Sequence, residues 1–164
     1  MVSKTSNDMT SELFTDCLNA EIDGLENLKI LAEAMNIDNR KMDLYEPLSG
    51  CQAYTNYLTK LAVYGSDAEI LAALLTDLPV WGYNCGKMSS MLQKNYGFDN
   101  NSCVFLDSFA SALPKEFTDK SNELILSSII SPYYEKDIHT ATGLILDYEL
   151  LFWDTLYKHS IINQ

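Results

Sequence analysis

Ser66-Asp67-Ala68-Glu69-Ile70-Leu71-Ala72-Ala73-Leu74-Leu75-Thr76-Asp77-Leu78-Pro79-Val80-Trp81-Gly82-Tyr83 is the stretch on which the fold class turns. Ser66 and Glu69 have the spacing of a capping box, in which each side chain satisfies a free backbone N–H at a helix start. Ile70, Leu71, Leu74 and Leu75 then recur at helical spacing. Pro79 lacks the N–H that a helix interior uses, and its ring crowds the preceding turn, so a kink or break is expected there, with the helix resuming towards Met91.

The neighbouring segments carry the same period. From Ser11 to Met35, Phe14, Leu18, Ile22, Leu25, Leu28 and Leu31 mark one helix face, and Asn36 is its stop. The stretch from Asn36 to Gly50, with Asp38, Asn39, Arg40, Lys41 and Pro47, has loop composition. A helix with Cys51, Tyr54, Leu58, Leu61 and Ala62 on its apolar face follows and closes at Gly65. Beyond Tyr83, Gly97 and Asp99-Asn100-Asn101 mark a turn before a short helix holding Val104, Leu106 and Phe109. Pro114 ends that helix or begins another, one helix surrounds Leu124, Ile125, Ile129 and Ile130, and Ser131-Pro132 opens a last one running to about Ser160. No alternating strand pattern and no internal repeat interrupts this series, so an all-α fold is expected.

The 164 residues, 47% of them hydrophobic, suffice for a single domain with its own core, spanning 1–164 with a disordered tail over residues 1–10. Acidic residues outnumber basic ones 23 to 11, and the resulting net charge of −12 repels phosphate backbones and anionic headgroups. Nucleic acid and membrane are therefore not expected as partners. The polar start from Met1 to Thr10 and the lack of a spanning apolar run place the expected location in the cytoplasm. Cys17, Cys51, Cys85 and Cys103 form no C-x-x-C pair, and His139 and His159 form no metal-ligand pattern, so idle thiols are expected and neither metal nor cofactor.

Two carboxylates break the apolar pattern. Glu149 sits inside the stripe of Ile145, Phe152 and Leu156 in the last helix, and Asp77 is the only charged residue between Ile70 and Tyr83. Burying an ionised carboxylate costs several kcal/mol unless it is paired or hydrogen-bonded. Both residues thus point to a ligand or a partner, or else to a wet rim or a water-mediated cap of the proline kink. Ten tyrosines are generous for this length, although any single one reads as the edge of an ordinary core.

Taken in order, Tyr54-Thr-Asn-Tyr57, Ile70-Leu-Ala-Ala-Leu-Leu75, Trp81-Gly-Tyr83 and Glu149-Leu-Leu-Phe-Trp153 resemble the motifs of the TenA/thiaminase II family, over Glu12 to Tyr157. The resemblance implies a heme-oxygenase-like helical bundle and hydrolysis of aminopyrimidine fragments of thiamin for salvage of the pyrimidine. It implies that Glu149 is the catalytic glutamate, that Tyr54 and Tyr83 are pyrimidine-pocket tyrosines, and that Phe109 stands where another tyrosine is usual, keeping a stacking face without the hydroxyl. A carboxyl group in apolar surroundings has its pKa raised, which suits Glu149 to act as both acid and base.

The chain departs from the family pattern in two places. Where many members carry a nucleophilic cysteine an ungapped count reaches Asp77, with Leu78 and Pro79 as competing alignments. Cys85, the nearest thiol, lies two residues past Tyr83 and projects at another angle. The N-terminal helical segment of the family has no counterpart before Ser11, so the bundle is expected to be incomplete at that end and its bare faces to be met by another chain. Two functions follow: a thiaminase II type C–N hydrolase, with Glu149 as acid and base and Asp77 in place of the thiol, or a non-catalytic TenA-like ligand-binding or assembly protein. The expected partners are a small aminopyrimidine and further copies in a homo-oligomer.

Overall fold

The computed structural model describes residues 8–162. Its helices are α1 (Asp8–Ala34), α2 (Asn39–Asp43), α3 (Ser49–Tyr64), α4 (Asp67–Tyr96), α5 (Val104–Ala110), α6 (Lys115–Ser128) and α7 (Pro132–Ile162), with no strand among the described residues. The all-α reading holds. α4 is the axis of the bundle: α5, α6 and α7 pack along it, α3 pairs with α7, and α1 lies against α5 and α6.

The capping box forms as the spacing predicts. Ser66 Oγ accepts from the Glu69 backbone N–H at 3.3 Å, and Glu69 Oε2 accepts from the Ser66 backbone N–H at 2.8 Å. Pro79 does not break the helix, because α4 runs unbroken through it to Tyr96. A proline inside a helix costs about 3 kcal/mol, and neighbours packed along α4 from both halves outweigh that loss. Gly97 ends the helix in the left-handed conformation at φ 74°, where a side chain would be strained. Asn36, the expected stop of α1, is also left-handed, at φ 56°. Gly65 closes α3 through its N–H to the Leu61 carbonyl at 2.8 Å, without a positive φ.

Three expectations are corrected. α1 starts at Asp8, so Asp8, Met9 and Thr10 are helical, with Thr10 buried, while residues 1–7 of the expected tail lie outside the described residues. The loop from Asn36 to Gly50 contains the one-turn α2, capped by Asp38 Oδ1 accepting from the Lys41 N–H at 2.7 Å. The apolar face of α1 is the third. Phe14 and Leu31 are buried, but Leu18, Ile22, Leu25 and Leu28 are between 37% and 60% exposed. The helix buries Thr10, Leu13, Phe14, Gly24, Leu31 and Ala32. The bundle thus covers the apolar face near both ends of α1 and leaves these four residues of its middle exposed.

The core falls into two clusters. Leu13 and Phe14 of α1, Tyr54, Tyr57 and Leu61 of α3, Ile70 and Leu71 of α4, Leu124 of α6 and Ile145 of α7 form the larger; Leu31, Cys85 and Leu106 form the smaller. Trp81 packs against both. This bridge depends on a close approach at Gly82, where an added Cβ would lie 2.2 Å from the Phe109 carbonyl oxygen. Gly82→Ala should therefore destabilise the fold by about 1–3 kcal/mol through overpacking. Gly143→Ala, on an open face of α7, should be neutral or stabilising through helix propensity. Urea denaturation of both variants checks the pair, and an equal gain in both would contradict the close approach.

Candidate functional site

Asp77, Trp81 and Asn84 lie four and three residues apart on α4 and so share one face of it. Glu149, Phe152 and Trp153 occupy one face of α7, and Tyr54 comes from α3. Because α4 and α3 both pack on α7, the three faces converge. Asp77 is 2% exposed and Glu149 1%. The burial that the apolar pattern predicted for both carboxylates is thus present, and the wet-rim alternative is not what the structure contains.

Each carboxyl group has one oxygen served by a fixed donor. The Tyr54 hydroxyl donates to Asp77 Oδ2 at 2.5 Å, and the Trp153 indole N–H donates to Glu149 Oε1 at 2.9 Å. Asn84 Nδ2 stands at 3.5 Å from the same Oε1, the outer limit of a hydrogen bond. Asp77 Oδ1 and Glu149 Oε2 have no other donor. The two carboxyl groups are near enough for the charge on Glu149 to raise Asp77.

Burial pushes Asp77 up from 3.8 to about 7, opposed by the Tyr54 hydrogen bond and reinforced by the Glu149 charge. Burial also raises Glu149, while the donors Trp153, Asn84 and Asp77 hold it down. Tyr54 is kept far above its usual range by burial, then by Asp77, Glu149 and Glu21, so it remains a donor. Cys85 is raised to about 11, first by burial and then by Glu149, which leaves it a neutral thiol at neutral pH.

Aromatic rings wall the pair, with Trp81 at the hub. Its ring lies parallel to Tyr54 at 5.8 Å between centroids and tilted against Phe152 at 5.4 Å and Trp153 at 5.1 Å. Phe109 meets Trp81 edge-on at 6.4 Å. The apolar wall explains the raised carboxyl groups, and the flat faces suit a planar ring.

Of the five residues singled out from the sequence, Tyr54, Asp77 and Glu149 meet in one cluster and Phe109 borders it. Tyr83 does not join them. It is 62% exposed, with the Lys87 ammonium 4.8 Å from its ring centroid. Six residues past Asp77 is about 240° around a helix, so both side chains cannot face α7. Tyr83 and Phe109 instead line an open cleft of about 1390 Å³ between α1, α4, α5 and α6, whose lining includes neither Asp77 nor Glu149. Trp81, Phe152 and Trp153 belong to motifs quoted from the sequence but, like Asn84, were not singled out there as site residues. The spacings 77/81/84 and 149/152/153 are the signal that could have found them. Among the described residues no group of His, Cys, Asp and Glu is arranged to hold a metal ion, and no helix is long and apolar enough to cross a membrane.

The described residues form a helical bundle that buries two carboxyl groups behind stacked aromatic rings. The chain belongs to the TENA/THI-4/PQQC family, whose sequence model matches residues 1–159, and the seven helices of the described residues are those of a helical heme-oxygenase-like fold. No curated protein and no solved structure matches the chain.

The raised Asp77 carries a sign. Between pH 4 and 7 the native state keeps a proton that the unfolded chain, at its ordinary 3.8, has released. Stability from this group is therefore full below that window and is lost as pH rises through about 7, with a slope of at most about 1.4 kcal/mol per pH unit. Asp77→Asn should flatten the fall, leaving only the part due to Glu149 and net charge. Thermal melts of both proteins from pH 4.5 to 7.5 check it, and parallel curves would contradict a raised Asp77.

Proposed function

We propose that this protein is a thiaminase II type hydrolase of thiamin pyrimidine salvage, acting in the cytoplasm on an aminopyrimidine. The observation that carries the reading is the buried Asp77–Glu149 pair, with one unserved oxygen on each partner, set against flat aromatic faces. Family membership supports it.

Hydrolysis of the C–N bond consumes one water. The hydroxyl goes to the carbon, and the leaving amine must take up a proton. Glu149 is the group suited to take the proton from water and return one to the amine, because burial raises its pKa towards neutrality. Asp77, which an ungapped count puts where many family members carry a nucleophilic cysteine, holds the amino group or the water through its unpartnered Oδ1. No covalent thioether step is invoked, since Cys85 is buried and neutral. The pyrimidine lies against Tyr54 and Trp81, with Phe109 at its edge. A homo-oligomer would bury the exposed arc of Leu18, Ile22, Leu25 and Leu28 on α1.

A second reading has its own observation. The carboxyl pair is sealed, and the open cleft does not reach it. That favours a non-catalytic TenA-like ligand-binding or assembly protein. One experiment separates the two: purified wild type and Glu149→Gln are titrated calorimetrically with an aminopyrimidine fragment of thiamin, and products are followed. The hydrolase reading expects both to bind and turnover to fall by about 10²–10⁴-fold in the variant. Binding without turnover in either selects the non-catalytic reading, and no binding to wild type overturns both.

A further inference from the structure

The four carboxyl oxygens of the buried pair are not equivalent. Glu149 Oε1 faces a donor that cannot become an acceptor, because an indole N–H has no lone pair to offer, and Asp77 Oδ2 faces the Tyr54 hydroxyl, which is held protonated. A proton on Glu149 Oε1 would meet the indole hydrogen. The other two oxygens, Asp77 Oδ1 and Glu149 Oε2, are buried and have no hydrogen-bond partner.

The donor to Glu149 is also rigid. Trp153 sits four residues after Glu149 on α7, and its ring is packed between Trp81 at 5.1 Å and Phe152 at 5.1 Å. Its indole N–H cannot change role when the carboxyl group titrates. Asn84, at 3.5 Å, is the weaker donor to the same oxygen.

From this geometry we infer that Trp153 is a positioning residue: by donating its indole N–H to Oε1 of Glu149 it reserves that oxygen as a bare acceptor and leaves the buried, unpartnered Oε2 as the one that exchanges a proton. The groups that bear on this exchange come from four helices. Tyr54 of α3 and Asp77 of α4 are in the network, Cys85 of α4 is a neutral thiol beside it, and Glu21 of α1 adds negative charge felt at Tyr54. Trp153 lowers Glu149 by stabilising its charged form, so its loss shifts the proton towards Glu149. The inference deepens the proposed hydrolase, in which Oε2 becomes the oxygen that serves the leaving amine, but the protonation pattern exists without ligand and is tested without it.

The experiment is a carbonyl-carbon NMR titration of ligand-free protein labelled on Asp and Glu, with signals assigned through Asp77→Asn and Glu149→Gln. Wild type should show the two carboxyl groups titrating together in two steps, the upper one above the ordinary carboxylate range. In Trp153→Phe, which keeps a ring and loses the donor, the Glu149 step should move to higher pH; Asn84→Ala should move it less, and Trp153→Gln, which restores an N–H, should bring it part of the way back. A folded Trp153→Phe with an unmoved profile would overturn the inference. Should that variant not fold, the wild-type indole N–H resonance of Trp153, told from Trp81 by Trp81→Phe, decides: it should shift through the carboxyl step, and an indole signal flat across that pH range would overturn the inference equally. Failure of the hydrolase reading appears separately, as absent turnover with these titrations intact.

Discussion

Two carboxyl groups buried near each other inside an apolar bundle cannot both be charged without a large desolvation cost, and the arrangement around Asp77 and Glu149 follows from that constraint. A proton on one of them removes one charge. Tyr54 and Trp153 each donate to one oxygen of the pair. The donors must be held in place, so they are built into a stack with Trp81 and Phe152. Polar network and aromatic wall are thus one device, because the wall keeps water away and thereby keeps the proton in.

α4 makes the device possible. Its unbroken course through Pro79 carries Asp77, Trp81 and Asn84 onto α7 along one face. On another side Gly82 lets α5 approach until the Phe109 carbonyl touches the helix, which brings the Phe109 ring to the edge of Trp81. A break at Pro79 would separate Asp77 from Trp81. The helix dipole and the capping box at Ser66 matter only at its far end; tertiary packing holds the middle.

Much of this was legible in the residue pattern. A lone charge in a long apolar run identified Asp77, and a carboxylate inside an apolar stripe identified Glu149, because burial of each follows from periodicity alone. Helix boundaries at Asn36, Gly65, Ser66, Gly97 and Pro132 were legible for the same local reasons. What periodicity cannot supply is which helix meets which. Trp81 and Trp153 look like ordinary core aromatics until α4 is laid on α7, and Tyr83 looks like a pocket residue until the helical angle from Asp77 is counted. On α1 one apolar face runs from Phe14 to Leu31, and only the packing decides that its ends are buried while Leu18, Ile22, Leu25 and Leu28 stay exposed. The continuity of α4 was illegible because a proline penalty is local while the burial that outweighs it is not.

Coupling between Asp77 and Glu149 is the central claim, and a double-mutant cycle measures it most directly. Unfolding free energies of wild type, Asp77→Asn, Glu149→Gln and the double variant are obtained from urea denaturation at one pH near 6.5. Mutual electrostatic influence predicts strong non-additivity, about 0.5–3 kcal/mol of interaction energy, since each single change alters the charge that the other group must bear. Effects that add to within a few tenths of a kcal/mol would mean that the two carboxyl groups titrate independently, and the account would be wrong.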